Sequence, residues 1–204
     1  MNIDCIETGN CYTDTYLIID GNDAIVIDPG DDFEILNLRL SKLGATAKYV
    51  LITHGHFDHI GAVARFADSG AKVYISKIDY DMFVKPDNNL NNEFFGKSVQ
   101  PFVADVLVED GDKFRLCNHD FTVMATPGHT PGGVCYVMDD NCIFSGDTLF
   151  RLSIGRTDFP LCSHSDLMKS IKRLFALNGD YAVCPGHGAS TMLDFERKNN
   201  PYVH

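Results

Sequence analysis

The chain has 204 residues, of which 45% are hydrophobic and 22% are charged, a composition typical of a soluble globular protein. Its apolar runs are all shorter than the roughly 18 residues that a membrane-spanning helix requires. The formal net charge of −11 disfavours binding to phosphate backbones and anionic lipids, so neither nucleic acid nor a membrane is expected as a partner. The N-terminus lacks the basic flank and apolar region of a signal peptide, which predicts a cytoplasmic location. The oligomeric state is left open.

The seven cysteines are scattered and include no Cys-x-x-Cys pair. In a chain expected in a reducing compartment, we interpret most of them as reduced, small buried hydrophobic residues. Cys184 lies three residues before a histidine, and we interpret it in the same way, as a packing residue.

The first third of the chain predicts a β-hairpin followed by alternating helices and strands. Residues 16–20 and 24–30 are apolar runs separated by a Gly-Asn-Asp turn, which is typical of a hairpin. Apolar residues at helical spacing predict a helix over 33–43 that ends at Gly44. A short strand at 49–52, a helix from about His59 to Gly70 and a strand at 72–75 are predicted to follow.

The remainder predicts a loop, a run of strands and two helices. Residues 85–100 are rich in Asn, Asp and Gly without periodicity, and we interpret them as a long surface loop and candidate lid. One further helix is predicted over 165–177, with Ser163 or Ser165 as its N-cap, and a short one near 191–199. Strands are predicted at 105–109, 113–117, 121–126, 133–139, 141–146 and 181–184.

Each half of the chain is therefore a run of strands bracketed by helices, which indicates an α/β protein. The length and the absence of a linker or repeat predict a single domain over residues 1–204. Two sheets packed on each other with helices outside, a four-layer αββα sandwich, agree with this pattern. The pattern alone does not select that architecture over other α/β folds.

A histidine cluster follows the predicted strand at 49–52. The sequence His54-Gly-His56-Phe-Asp58-His59 places four metal-binding side chains within six residues. In an extended segment the side chains of His54 and His56 point the same way, so both can reach one metal ion. If a helix begins near Asp58, then Asp58 and His59 are redirected towards a second metal ion. Imidazole suits zinc or iron, and a carboxylate adds a hard ligand.

Three more candidate ligands follow apolar strands and lie beside glycines. These are His129 in Pro-Gly-His-Thr-Pro-Gly, Asp147 in Ser-Gly-Asp-Thr and His187 in Pro-Gly-His-Gly. Glycine at such places lets the backbone pass close to a site. The strand ends are therefore expected to converge on one rim of the two sheets.

These motifs, in this order, resemble the metallo-β-lactamase superfamily, and the match covers nearly the whole chain. The resemblance implies the four-layer αββα metallo-β-lactamase sandwich with the metal site at one rim of the two sheets. The residues within these motifs are similar to those of glyoxalase II (hydroxyacylglutathione hydrolase). The segments 146–150, 155–160 and 196–201 favour its short bacterial relatives.

The resemblance implies a set of ligands for two divalent metal ions, with zinc expected and iron or manganese as alternatives. A first metal would be held by His54, His56 and His129, and a second by Asp58, His59 and His187. Asp147 would bridge the two metals, and Asp28 would orient a ligand from behind.

The same resemblance implies a hydrolase of small-molecule thioesters or esters, such as S-D-lactoylglutathione. Two metals about 3.5–4 Å apart would share and activate a water, and the resulting hydroxide would attack the carbonyl. Asp58 and Asp147 are the residues expected to have a catalytic part beyond binding metal.

The chain departs from glyoxalase II in two features and keeps a third. It ends at His204, without the C-terminal helical region that helps to bind glutathione. Gly188 and Ala189 stand where the family has a tyrosine. Arg156 occupies a basic position that can clamp a substrate carboxylate. Because Asp158 is close in sequence, we favour a loop-bracing ion pair for Arg156 instead.

Persulfide dioxygenases also resemble this sequence, and they use one iron held by residues that match His54, His129 and Asp147. The candidate ligands do not separate the two enzymes, because the oxygenases retain the other metal-site residues. Pro160 and Gly188 favour the hydrolase over this alternative. A metal-storing or redox partner domain, a β-lactamase proper and a nuclease are disfavoured. The remaining histidines are expected at the surface without a ligand role: His119, His164 and His204.

Overall fold

The computed structural model describes residues 2–85 and 90–203 of the chain. The first half forms a six-stranded sheet with the order β1-β2-β3-β4-β5-β6. The first three strands pair antiparallel, and β3 to β6 are parallel. The strands are β1 (Asn2–Thr8), β2 (Thr13–Asp20), β3 (Asp23–Ile27), β4 (Thr46–Leu51), β5 (Lys72–Ser76) and β6 (Val106–Val108).

The connections between the parallel strands carry the helices of this half, because a parallel pair requires a crossover. The predicted helix over 33–43 is confirmed, whereas the one from His59 to Gly70 is two short helices interrupted at Gly61 and Ala62. The elements are α1 (Phe33–Lys42), α2 (Phe57–Ile60), α3 (Val63–Asp68), α4 (Lys77–Asp79), a π-helical turn (Tyr80–Val84) and α5 (Leu90–Phe95).

The interpretation of residues 85–100 as a surface loop is wrong in part. The segment contains α5, and the buried side chain of Asn91 anchors that helix. Asn91 Nδ2 donates hydrogen bonds to the backbone oxygens of Gly55 and Phe83, at 3.0 and 3.2 Å. Tertiary contacts rather than local periodicity therefore stabilise this helix. Residues 86–89 of the predicted loop lie outside the described residues.

The second half forms another six-stranded sheet, with the order β14-β13-β10-β9-β8-β7. Its strands are β7 (Lys113–Leu116), β8 (His119–Ala125), β9 (Val134–Met138), β10 (Cys142–Gly146), β13 (Ala182–Pro185) and β14 (Thr191–Met192). A small hairpin, β11 (Leu149–Phe150) and β12 (Ser153–Ile154), follows β10. Helices α6 (His164–Phe175) and α7 (Leu193–Asn199) complete this half, and Ser163 caps α6 by accepting a hydrogen bond from the Asp166 amide.

Successive side chains of each strand point to opposite faces of its sheet. The buried residues therefore form three clusters, one between the two sheets and one between each sheet and its helices, and these separate four layers. In β2, Leu17 packs towards the helices while Tyr16 and Ile18 pack between the sheets. In β10, Phe144 packs between the sheets and Ile143 packs towards α6. Since successive side chains of a strand point to opposite faces, apolar residues on both faces require cover on both. The αββα sandwich expected from the resemblance is confirmed.

The topology also explains why one rim of the sandwich collects polar side chains. Strands β3 and β4 run parallel, and so do β10 and β13 in the other sheet. The segments that leave the carboxyl ends of these four strands carry Asp28, the histidine cluster, Asp147 and His187. In open α/β sheets this end is where ligands usually bind. Within the described residues, no helix has the length and apolar character needed to cross a membrane.

The cluster between the sheets predicts a stability effect at Phe121, which is 1% exposed in β8 and stacks on Phe114 with ring centroids 5.7 Å apart. Phe121→Ala should lower the free energy of unfolding by about 3–5 kcal/mol, because it removes buried area and leaves a cavity. Urea denaturation of metal-free protein measures the change. Leu38→Ala on α1, where Leu38 is 56% exposed, is the control and should change stability by less than about 0.5 kcal/mol. Equal effects of the two substitutions would contradict the assigned core.

Candidate metal centre

The histidine cluster changes direction where the sequence predicted that it would. His56 precedes α2 and has extended backbone angles, φ −65° and ψ 147°. Helix α2 begins at Phe57, so Asp58 and His59 leave the chain in a different direction from His54 and His56. Both His54 and His56 are buried, and His59 is fully buried. The cluster therefore presents ligand atoms to two places rather than one.

The first place is a triad of imidazole nitrogens. Nδ1 of His56 lies 3.1 Å from Nε2 of His54 and 3.0 Å from Nε2 of His129. Nitrogen ligands at about 2.0–2.1 Å from one tetrahedral metal would lie about 3.3 Å from each other. These three nitrogens are therefore spaced as ligands of a single ion.

The second place joins Asp58, His59 and His187, whose ligand atoms lie close enough to hold one metal ion. Oδ2 of Asp58 is 3.4 Å from Nε2 of His187 and 3.8 Å from Nε2 of His59. This triad combines two imidazoles with one carboxylate, a donor set that suits a divalent ion.

Asp147 lies between the two triads, at the end of β10. Its Oδ2 is 3.4 Å from Nε2 of His129, which belongs to the first triad. Its Oδ1 is 3.4 Å from Nε2 of His59 and 3.7 Å from Nε2 of His187, which belong to the second. One carboxylate therefore faces both places with a different oxygen.

Backbone carbonyls fix the tautomers of two of these histidines. Nδ1 of His129 is 2.9 Å from the carbonyl oxygen of Arg156, and Nδ1 of His187 is 3.3 Å from that of Tyr12. A carbonyl oxygen only accepts, so each Nδ1 carries the proton. Each Nε2 then presents a lone pair to the centre, which is the form that binds metal.

Asp28 orients His54 and His59, two of the candidate ligands that follow β4, through hydrogen bonds on the Nδ1 side of each ring. Its Oδ2 accepts from Nδ1 of His59 at 3.0 Å and from the hydroxyl of Thr53 at 2.6 Å, and its Oδ1 accepts from the Thr53 amide at 2.7 Å. The Thr53 hydroxyl then accepts from Nδ1 of His54, 3.2 Å away. The oxygens of Asp28 are thus occupied by hydrogen bonds, although they lie near His54 and His59, and Asp28 orients these ligands.

The buried carboxylates and imidazoles of the centre favour the binding of a cation. Burial lowers the pKa of His56 to about 3 and keeps its imidazole in the neutral, metal-binding form. Burial alone would lower the pKa of His59, but the carboxylates of Asp147 and Asp58 outweigh this and raise it well above the ordinary value. Nε2 of His59 and Oδ1 of Asp147 are both buried without a hydrogen-bond partner. A divalent ion between the carboxylates would supply the positive charge and satisfy both atoms.

Two glycines let the backbone approach this cluster. A Cβ on Gly186 would collide with Oδ1 of Asp147 and lie 2.6 Å from Cε1 of His59. A Cβ on Gly155 would collide with the backbone oxygen of Asp147. Any side chain at either position would displace the carboxylate between the triads, which explains glycine there.

Asp79 is a site residue that the sequence analysis missed. It is fully buried at the end of α4 and accepts hydrogen bonds from the amides of Gly55 and Gly132 and the hydroxyl of Thr130, at 2.7–2.8 Å. It thereby joins the loop of His54 and His56 to the loop of His129. The only local signal is Ser76, whose hydroxyl accepts from the Asp79 amide as in a helix cap.

A cavity of about 680 Å³ opens onto the centre. His56, Asp58, His129, Asp147 and His187 form its floor. Its walls are largely apolar, and they come from α5, the β11–β12 hairpin and neighbouring loops: Phe57, Phe95, Phe150, Ile154 and Phe159. The volume suits a small organic molecule.

Arg156 lines this cavity but its charge is balanced. Its guanidinium forms two hydrogen bonds to Asp158, at 2.7 and 2.8 Å, and stacks over the Phe159 ring at 3.8 Å. The ion pair that the sequence analysis favoured is therefore present. His119 is half-buried and pairs with Asp139 at 2.6 Å, and His164 is exposed at the start of α6. His204 lies outside the described residues.

Comparison with known proteins identifies the family. The sequence model of the Metallo-beta-lactamase superfamily matches residues 8–187. The chain therefore belongs to the metallo-β-lactamase superfamily, and its paired His/Asp clusters are sites for divalent metal ions.

Two relatives cover most or all of the chain. It is 33% identical to hydroxyacylglutathione hydrolase GloC of Haemophilus influenzae, over 100% of this chain and 99% of the relative. It is 34% identical to a probable metallo-hydrolase of Streptococcus pyogenes, over 93% and 85% of the two chains. These names support a metal-dependent hydrolase.

Two solved structures share the fold over nearly their whole length. The B3 metallo-beta-lactamase BLEG-1 has a TM-score of 0.92 and 33% identity, and each chain is 99% covered. TTHA1623 in a di-iron-bound form has a TM-score of 0.85 and 34% identity, with coverages of 98% and 99%. The latter shows that a similar chain holds two iron ions.

The contacts of Asp79 predict an effect on metal binding without a change in any ligand. Asp79→Ala should weaken zinc binding about 10–100-fold, because it frees the two loops that carry His54, His56 and His129. Competition with a chromophoric chelator measures the affinity.

Asp79→Asn is a second, more conservative variant. It keeps the shape of the side chain, but its amide NH₂ replaces a carboxylate oxygen and then lies against the N–H or O–H groups that Asp79 binds. Asp68→Asn, on the exposed end of α3, is the matched control. A folded Asp79→Asn protein with the zinc affinity of the control would contradict the positioning role.

Proposed function

We propose that this protein is a dinuclear metal-dependent hydrolase of small-molecule thioesters or esters, with S-D-lactoylglutathione as the first candidate substrate. In this proposal, His54, His56 and His129 hold one ion, and Asp58, His59 and His187 hold the other. The position of Asp147 between the two triads carries the proposal, because a carboxylate that faces both is what a pair of close cations requires.

The donor set supports zinc as the metal. Five imidazoles and two carboxylates form a set of mixed hardness that suits zinc, iron or manganese. The similarity to a protein crystallised in a di-iron-bound form makes iron the main alternative.

The bound ions would supply a water of lowered pKa and a Lewis acid for the carbonyl oxygen. The residues of the chain do the rest. Asp147 would offset the charge of two bound ions, while Asp28 and the carbonyls of Tyr12 and Arg156 hold the imidazoles in the metal-binding tautomer. Asp58 lines the cavity and would accept a hydrogen bond from the attacking water. The aromatic walls exclude bulk water from the scissile bond.

In this proposal the enzyme is a single domain over residues 1–204, and it is located in the cytoplasm. All seven cysteines are free, which supports a reducing compartment. The similarity to GloC over the whole of both chains supports a thioester of glutathione as the substrate.

The alternative is a mono-iron persulfide dioxygenase, which would need only His54, His129 and Asp147. Because such enzymes retain the other metal-site residues, the metal count and the reaction have to be measured to separate the two functions. Zinc, iron and manganese should be counted in native protein by mass spectrometry. Thiol release from S-D-lactoylglutathione, oxygen uptake with glutathione persulfide and hydrolysis of a β-lactam should be measured on the same preparation. About two metals per chain with thiol release supports the proposal. One iron with oxygen uptake, or turnover of the β-lactam alone, overturns it.

Asp147→Asn tests the bridging role. The substitution keeps the volume and one oxygen but removes the negative charge that would offset the repulsion between two bound cations. We expect metal content to fall from about two ions per chain towards one and kcat to fall by at least about 100-fold, with a smaller change in KM.

Metal stoichiometry and kcat are measured on one preparation of each protein. His119→Ala, remote from the centre, is the control and should keep the metal content of the native chain. An Asp147→Asn protein with two metals and normal turnover would exclude a bridging role even if the other ligands are correct.

A further inference from the structure

A second, smaller cavity adjoins the metal centre and has no part in the reaction described above. It measures about 230 Å³ and lies beside Asp58, between the turn that follows β1 and the segment that follows α5. Cys11, Phe57 and Asp58 line both this cavity and the larger one. The two cavities therefore meet at the centre. We call the smaller one the side pocket.

The side pocket differs from the larger cavity in character. Its lining is mostly polar and includes Asn10, Lys97, Ser98 and Gln100, whereas the walls of the larger cavity are mostly aromatic. A substrate that spans both would place an apolar group on one side of the scissile bond and a polar group on the other.

Lys97 is the cation of the side pocket. Its ammonium lies 5.8 Å from the centroid of the Phe57 ring. Across residues 2–85 and 90–203, it forms no salt bridge to a carboxylate. Arg156, the cation of the larger cavity, is already paired with Asp158. Lys97 is therefore the cation better placed to bind an anionic group of a substrate.

The position of Lys97 is tied to the metal centre through one buried residue. The Lys97 amide donates to the backbone oxygen of Asn91 at 3.3 Å. The Asn91 side chain in turn donates to the backbone oxygen of Gly55, between His54 and His56. The segment that carries Lys97 is thus held in a defined place relative to the ligand loop.

Two acidic residues line the side pocket together with Lys97, namely Asp31 and Asp58. The charge of Asp58 belongs to the metal centre. Asp31 is exposed, and one of its oxygens accepts the Asp32 amide at 2.9 Å. Asp31 should therefore repel an anionic group that Lys97 attracts, so substitutions at the two positions should act in opposite directions.

We propose that the side pocket binds a carboxylate of the substrate through Lys97 and that the larger cavity takes an apolar group on the other side of the scissile bond. This rests on the proposed hydrolase function and narrows its substrates to thioesters that carry a carboxylate. In this assignment Arg156 braces the wall and Lys97 determines specificity.

Two substrates that differ only in this charge test the proposal: the phenylacetyl thioesters of 3-mercaptopropionate and of 3-mercaptopropionamide. The measured quantity is the ratio of kcat/KM for the acid to kcat/KM for the amide, in zinc-loaded protein. Lys97→Gln should lower this ratio about three- to tenfold, the range expected for a partly exposed charge pair. Asp31→Asn should raise it about two- to threefold. Both effects should shrink at high salt.

Lys72→Gln, an exposed lysine on β5 outside both cavities, is the matched control and should leave the ratio unchanged. A ratio that falls with Arg156→Gln and not with Lys97→Gln would overturn the proposal in favour of Arg156 as the clamp. Equal ratios in native protein, Lys97→Gln and Asp31→Asn would overturn it outright. If native protein releases thiol from S-D-lactoylglutathione but hydrolyses neither phenylacetyl thioester, the proposal for the two cavities fails alone. If it hydrolyses none of the three, the hydrolase function itself fails, so the two failures are distinguishable.

Discussion

Lone pairs and carboxylate oxygens face one another at the rim of the two sheets, at distances of 3.0–3.8 Å. Such atoms repel unless a positive charge lies between them, and burial increases the repulsion because water does not screen it. The chain meets this constraint by holding several of the candidate ligands, or the loops that carry them, through hydrogen bonds from outside the centre. The carbonyls of Arg156 and Tyr12 and the carboxylates of Asp28 and Asp79 lie in a shell around the centre. These hydrogen bonds fix the positions of the candidate ligands at the rim.

Asp28 shows what that rigidity requires of the backbone. Its φ is +49°, in the left-handed region that residues other than glycine rarely adopt, although Asp tolerates it better than most. In this conformation its carboxylate reaches the Thr53 amide, the Thr53 hydroxyl and the His59 ring together. The hydrogen bonds of a fully formed site offset the local strain. Asp28 at the end of β3 therefore couples the backbone of one sheet to the orientation of a ligand.

The strand ends that carry the candidate ligands were predictable because each is an apolar run that stops at a polar residue beside glycine. Asp79 was not, because the amides that it binds belong to Gly55 and Gly132, 24 and 53 residues away. The edge strand β1 was missed for a different reason. Residues 3–7 of this strand are half-buried or exposed, so its apolar signal is weak. Local patterns predict elements, but the contacts that lock the centre exist only once the sheets have packed.

The net negative charge of the chain and the position of Lys97 both affect how an anionic ligand would bind near the centre. A net charge of −11 attracts divalent cations to the rim but repels anionic small molecules from the whole surface. At physiological ionic strength such fields decay over about 8 Å, so only charges near the centre decide which substrate binds there. In the proposed assignment, the ammonium of Lys97, which has no ion pair within residues 2–85 and 90–203, would favour an anionic group beside the centre. Specificity would then depend on a segment between strands, and metal binding on the strand ends.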